Sequence, residues 1–187
     1  MINKDFLKAL FLQAEYYLKE RGIKGEILLF GGSAIIFAFS DRLYTKDIDA
    51  YFAPKEEVID ALKKAAKELG FFPETSDWLN SAVLRYIYAR PPRELQVVYD
   101  GKYLQVFVPT MEYLLAMKLF AAREEKDLDD VLIIAKHLNI KTKEELITVF
   151  RKVFPENYLD EKRLGFINEA ANILQRNSDD PKTCPTS

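Results

Sequence analysis

The 187-residue sequence predicts an α+β (α/β) fold, with strands and helices intermixed through residues 1–109 and helices alone over 110–176. Three observations carry this reading. Short apolar runs suited to strands occur only in the first 109 residues. Apolar residues at helical spacing open the chain and fill its last third. Between residues 26–30 and the apolar run 34–39 stand Gly31, Gly32 and Ser33, most simply a strand, a tight turn and a buried helix.

The elements follow in order. Phe6, Leu7, Leu10, Phe11, Ala14, Tyr17 and Leu18 make an amphipathic helix over 4–21, stopped at Gly22. Residues 47–52 alternate with period two, as a strand does, and a helix over 55–69 closes at Gly70. The stretch 72–88 is punctuated by Pro73, Ser76 and Asn80, and 83–88 suits either a strand or a helix end. Residues 93–99 and 102–108 read as a hairpin whose two-residue turn, Asp100-Gly101, favours positive φ at both positions. Helices are expected at 111–122, 125–138, 142–153 and 159–176, packed on the core, and 177–187 is expected to be disordered.

Composition narrows the function classes. With 27 basic and 29 acidic residues the net charge is −2, so no global basic field clamps a long nucleic acid. No uncharged run spans a bilayer and no signal-peptide pattern opens the chain. One cysteine, Cys184, makes no internal bridge and suits a reducing compartment. The expectation is a cytoplasmic protein with no membrane partner.

Several residues could carry chemistry. The Gly31-Gly32-Ser33 entrance to a helix suits an anion, although Ser33 as an ordinary helix cap explains it too. Gly32 is expected to resist enlargement, through a positive φ or a close phosphate approach. Asp47 and Asp49, two apart on a strand, leave one face together, and a divalent metal would relieve their repulsion. Arg42, Thr45 and Lys46 precede this strand and could touch phosphates, although a solvated loop explains them equally well. Lys118 has Leu114, Leu115, Ala121 and Ala122 as helical neighbours, so its ammonium either snorkels or points at an anion. On either account Lys118→Met should hold or raise stability. Asp127 and Asp130 share a helix face and could orient Lys118 or touch an acceptor, or simply favour a helix start. The single histidine, His137, reads as a helix C-terminal residue rather than a base.

Taken together, apolar-Gly32-Ser33, thirteen residues, then Asp47-Ile48-Asp49-Ala50 resembles the polymerase-β-like nucleotidyltransferase superfamily over residues 27–52. The second block, Glu112 to Arg123 with its helical Lys118, followed by Lys126-Asp127 and Asp130, is similar to bacterial nucleotidyltransferases of the abortive-infection toxin type and to uncharacterised relatives. The resemblance implies a mixed β-sheet flanked by helices. It implies Mg²⁺ (or Mn²⁺) held by Asp47 and Asp49, a nucleoside triphosphate over Gly31, Gly32, Ser33 and Thr45, and Lys118 facing its phosphates. Many members of the superfamily place a third carboxylate on a later strand, where this chain has Gln96 and Gln105. Glu94 is the nearest substitute and Asp77 a more distant one.

Two functions follow from the resemblance. One is transfer of a nucleoside monophosphate to an acceptor hydroxyl on an RNA end such as tRNA, a protein or a small molecule, with a cognate toxin or antitoxin as partner. The alternative is a catalytically weak or inactive nucleotide-binding or regulatory module with the same fold.

Overall fold

The computed structural model describes residues 1–38, 44–84 and 90–179. The chain divides into two compact units, Met1–Thr110 and Met111–Ser187. The first contains α1 (Lys4–Glu20), β1 (Gly25–Leu29), α2 (Gly31–Ala38), β2 (Ile48–Ala53), α3 (Lys55–Glu68), β3 (Leu79–Asn80), β4 (Leu95–Asp100) and β5 (Leu104–Pro109). The second contains α4 (Met111–Ala121), α5 (Glu124–His137), α6 (Lys143–Val153), a 3₁₀ turn (Glu156–Tyr158) and α7 (Glu161–Asp179). No helix among the described residues is long and apolar enough to cross a membrane.

The first unit is built on a mixed five-stranded sheet in the order β3-β2-β1-β5-β4, as the α+β expectation requires. β1 runs parallel to β5 and β2 parallel to β3, while the β1–β2 and β4–β5 pairs are antiparallel. Alternation divides each strand between two faces. Ile27, Leu29, Ile48, Ala50, Phe52, Leu104, Val106 and Val108 are buried on one of them. Helices α1 and α3 cover that face so closely that a Cβ on Gly25 would come within 2.8 Å of Val58 and 2.9 Å of Leu18. The opposite face carries Glu26, Leu28, Asp49, Tyr51, Val97 and Phe107, all exposed or half-buried.

A bulge decides how β4 serves both faces. Val97 pairs with Phe107, but Tyr99 pairs with Val106, so Val98 is an extra residue and Tyr99 is turned toward α1. There its ring meets Phe11 and its hydroxyl donates to Glu15 at 2.5 Å. The other Glu15 oxygen accepts the Tyr103 N–H at 2.8 Å. The expected two-residue turn at Asp100-Gly101 is corrected by this arrangement. Asp100 is the last residue of β4, paired with Gln105, and Gly101, Lys102 and Tyr103 form a three-residue connection. Gly101 is not among the positive-φ residues; a side chain there would collide with the Glu15 carboxylate.

Two other expectations change. The stretch 72–88 contributes β3, a strand its sequence does not signal, and residues 85–89 lie outside the described residues. Helix α7 continues to Asp179, past the residue-176 end expected for it, and residues 180–187 with Cys184 lie outside the described residues. In the second unit α6 is opened by a capping box, Thr142 with Glu145, so the helix read from residue 142 begins one residue later.

The Glu15 contacts generate a test. Gly101→Ala should displace the Glu15 carboxylate and cost about 1.5–3 kcal/mol of unfolding free energy, the range for losing a hydrogen bond to a charged group. In a Glu15→Ala background the same substitution should cost distinctly less, a coupling that urea denaturation of the four proteins measures.

Candidate active site

The C-terminal end of β1 turns into α2 through Gly31, whose φ is +55°. Only glycine takes this conformation without strain. A Cβ built on Gly31 would lie 2.7 Å from Asp49 Oδ2, so the aspartate carboxylate occupies the space a side chain would need. The backbone holds the pair in register, since Phe30 N–H donates to the Asp49 carbonyl at 2.8 Å. The left-handed residue of the turn is therefore Gly31 and not Gly32, which lies buried in the first turn of α2. Ser33 is not an N-cap. Its buried hydroxyl donates back to the Phe30 carbonyl at 2.9 Å and closes the turn.

Asp47 immediately precedes β2 and Asp49 lies within it between the buried Ile48 and Ala50, and both aspartates are half-buried. Asp49 lies on the outward face of the sheet, and Asp47 stands two residues before it, just outside the strand. Thr45 is placed differently from a phosphate ligand. It is buried, its hydroxyl lies 3.3 Å from both the Asp47 carbonyl and Oδ1, and its backbone exchanges two 2.8 Å hydrogen bonds with Ile2. Thr45 thus positions Asp47 and is itself pinned by the N-terminal residues. Lys46 is exposed, with Glu74 3.9 Å away. Arg42 lies outside the described residues.

Strand order decides the accessory carboxylates. Glu94 is exposed just before β4, three strand spacings from β2, or roughly 14 Å. It is therefore no neighbour of Asp49. Asp77 leads into β3 and is the nearer of the two along the chain path. The residue directly beside Asp49 is Asn80, its partner in the parallel β2–β3 register. Asn80 Oδ1 accepts the Ala82 N–H at 3.2 Å. No sequence signal marked Asn80, because β3 is two residues long and emerges only by pairing. Among the described residues no group of three or more His, Cys, Asp or Glu side chains is arranged to hold a metal.

In the second unit the structure brings Lys118, Asp127 and Asp130 together. The Lys118 ammonium lies 2.7 Å from Asp127 Oδ1 and 2.7 Å from Asp130 Oδ2, and Lys118 is only 8% exposed. Arg123 adds its Nε at 2.8 Å and Nη2 at 3.0 Å to the same Asp127 carboxylate. Both aspartates are fully buried. The ammonium neither snorkels nor stands alone in an apolar patch. It is one of two cations balancing two buried carboxylates. Burial by itself pushes the Asp127 carboxyl up, but Arg123 and Lys118 outweigh it and hold the group below the usual carboxylate range.

This cluster reverses the stability expectation for Lys118. Lys118→Met leaves buried carboxylate charge without its ammonium and should cost about 3–5 kcal/mol of unfolding free energy, where an isolated snorkelling lysine would have cost nothing. Because the folded Asp127 value is depressed, its contribution is complete above about pH 4 and is lost as pH falls through the folded value. Thermal melts from pH 5 downward should therefore fall more steeply for wild type than for Asp127→Asn.

Comparison with curated proteins gives no match, and comparison with solved structures gives none either. A family match, in contrast, covers most of the chain. Residues 5–170, which include the Gly31 turn, the aspartate pair and the lysine cluster, match the family described as nucleotidyltransferase of unknown function (DUF6036), and the protein belongs to that family.

Proposed function

We propose that the protein moves a nucleoside monophosphate from a nucleoside triphosphate to an acceptor hydroxyl, in a reaction dependent on Mg²⁺ or Mn²⁺. The observation that carries this reading is the Asp49 carboxylate seated against the left-handed Gly31 turn, with a second aspartate, Asp47, two residues before it. The donor set fits a hard divalent cation, since both side chains offer oxygen only and two like charges on one strand gain from a cation between them. When bound, such a cation neutralises charge on the triphosphate.

The chain's own residues do the rest. At the start of α2 the first N–H groups have no intrahelical acceptor and the helix dipole favours an anion. Ser33 keeps this turn closed through Phe30, and Thr45 holds Asp47 in place. An acceptor hydroxyl attacking the α-phosphorus forms one P–O bond as the bond to pyrophosphate breaks. An RNA end such as tRNA, a protein hydroxyl or a small molecule could supply it. The resemblance to abortive-infection toxins supports a role within a toxin–antitoxin pair.

Asn80 favours a second reading. A neutral amide beside Asp49 leaves only Asp47 and Asp49 as carboxylates at this end of the outward face, among the described residues, which suits a module that binds nucleotide with slow chemistry or none. Incubating the protein with Mg²⁺, each α-labelled nucleoside triphosphate and a cell extract tests the first reading directly. Label on an RNA, a protein or a small molecule of the extract is expected, and its absence from all three with every nucleotide favours the second reading.

Two substitutions sharpen the comparison. Asp47→Asn with Asp49→Asn should abolish Mg²⁺-dependent nucleotide binding in calorimetry while leaving the fold intact, because repulsion is removed; equal binding by the two proteins would remove the metal role. Asn80→Asp should tighten Mg²⁺ binding, by about tenfold for 1.4 kcal/mol of added attraction, and lower stability without metal.

A further inference from the structure

Strand pairing holds one of the two aspartates and leaves the other to a different anchor. Asp49 is paired with Asn80 on one side and accepts the Phe30 N–H through its carbonyl on the other. Asp47 stands before β2 begins, and its carboxylate is met by the Thr45 hydroxyl, 3.3 Å from Oδ1. Thr45 is fixed in turn by an antiparallel bridge to Ile2, with N–H to carbonyl bonds of 2.8 Å in both directions, and Ile2 and Thr45 are both buried.

Two residues further on, the same segment reaches the other arm of the candidate site. Lys4, the first residue of α1, donates from Nζ to the Phe37 carbonyl of α2 at 3.0 Å, with the ammonium 5.9 Å from the centre of the Phe37 ring. That carbonyl is among the last four of α2, which no helical N–H satisfies. A cation there also stands at the negative end of the helix dipole. With only eight residues, α2 owes its order to tertiary contacts more than to its own bonds. Between Ile2 and Lys4, Asn3 caps α1, its Oδ1 accepting the Phe6 N–H at 2.8 Å. Both contacts therefore issue from backbone that is fixed at the start of α1.

We propose that Ile2 and Lys4 form a clasp that positions the candidate site, Ile2 acting through Thr45 on Asp47 and Lys4 acting on α2, whose first turn meets the phosphates. The inference rests on the nucleotidyl-transfer reading and deepens it with positioning residues that touch neither cation nor nucleotide. Their effects differ by chemistry. Thr45 orients a carboxylate for the cation, so losing its hydroxyl is felt as a greater need for Mg²⁺. Lys4 sets the helix that receives the triphosphate, so losing its ammonium is felt at every Mg²⁺ concentration. Linkage makes the effect reciprocal: the factor that the clasp adds to nucleotide affinity is the factor that bound nucleotide adds to the stability of the clasp.

Calorimetry with each of the four nucleoside triphosphates over a range of Mg²⁺ concentrations tests the clasp. Thr45→Val, close in shape but without the hydroxyl, should raise the Mg²⁺ concentration that half-supports binding by about fivefold or more, the lower end of ordinary coupling between sites, and approach wild-type affinity at saturating Mg²⁺. Lys4→Met, which keeps the apolar stem beside Phe37, should weaken binding by about fivefold or more even at saturating Mg²⁺. Thr45→Ser and Lys4→Arg return the lost donors and should return the affinity. If the contacts serve stability alone, Thr45→Val and Lys4→Met melt at lower temperature but bind as wild type does while folded, and that result overturns the clasp. Should either variant fail to fold, hydrogen exchange of the Thr45 N–H in wild type decides. Its rate should fall by about fivefold or more on adding Mg²⁺ and the tightest-binding triphosphate, and an unchanged rate overturns the clasp. Wild-type protein that binds no nucleoside triphosphate in Mg²⁺ overturns the transfer reading and the role of the clasp with it.

Discussion

The Asp49 carboxylate stands where a side chain on Gly31 would have to be, and the arrangement of the candidate site depends on that exchange of space. Glycine accepts the +55° φ that turns β1 into α2, and its missing Cβ is what lets a strand carboxylate approach the turn. The four-residue antiparallel pairing of β1 with β2 holds the two in register. Asp47 stands two residues earlier, and its orientation is steadied by Thr45, which Ile2 in turn fixes through backbone hydrogen bonds. Two carboxylates so placed repel each other, and the fold tolerates them because its stability is generated on the other side of the sheet.

That division between faces is the second organising constraint of the first unit. Helices α1 and α3 bury one face almost completely, and Glu15 ties α1 to the β4–β5 connection by accepting from Tyr99 and Tyr103. The bulge at Val98 makes this possible, since without an extra residue Tyr99 would point to the outward face. The same bulge leaves Val97 and Leu95 outward on the edge strand. A single irregularity therefore completes the packed face and adds to the open one.

The second unit follows a different logic. Lys118, Arg123, Asp127 and Asp130 place two positive and two negative groups in and around a buried position on α4 and α5. Taking these charges out of water is costly, and only mutual pairing offsets it. Ala122, with φ +46°, makes the reversal between α4 and α5 that brings the ammonium to the carboxylates. The conformation is uncommon for a residue with a side chain. The cluster is thus a matched set in which no member keeps its character without the others.

Much of this was legible in the sequence, and the physical reasons differ by residue. Local rules determined the strand, turn and helix around Gly31, the alternating strand that carries Asp49, and helices alone after residue 110, because glycine geometry and side-chain periodicity act within a few residues. Tertiary structure decided the rest. Which glycine is left-handed depends on where Asp49 arrives from β2, so Gly31 and not Gly32 carries the turn. Asp100-Gly101 looks like a two-residue hairpin turn until Glu15, more than eighty residues earlier, claims the space beside Gly101. Asn80 becomes a neighbour of Asp49 only through the pairing of a two-residue strand, and Glu94 is removed from it by the order of strands. The sequence offers Asp127 and Asp130 as candidate partners of Lys118 without deciding between that and a helix start, because a helix shows only its own face; the packing of α4 against α5 brings the charges together.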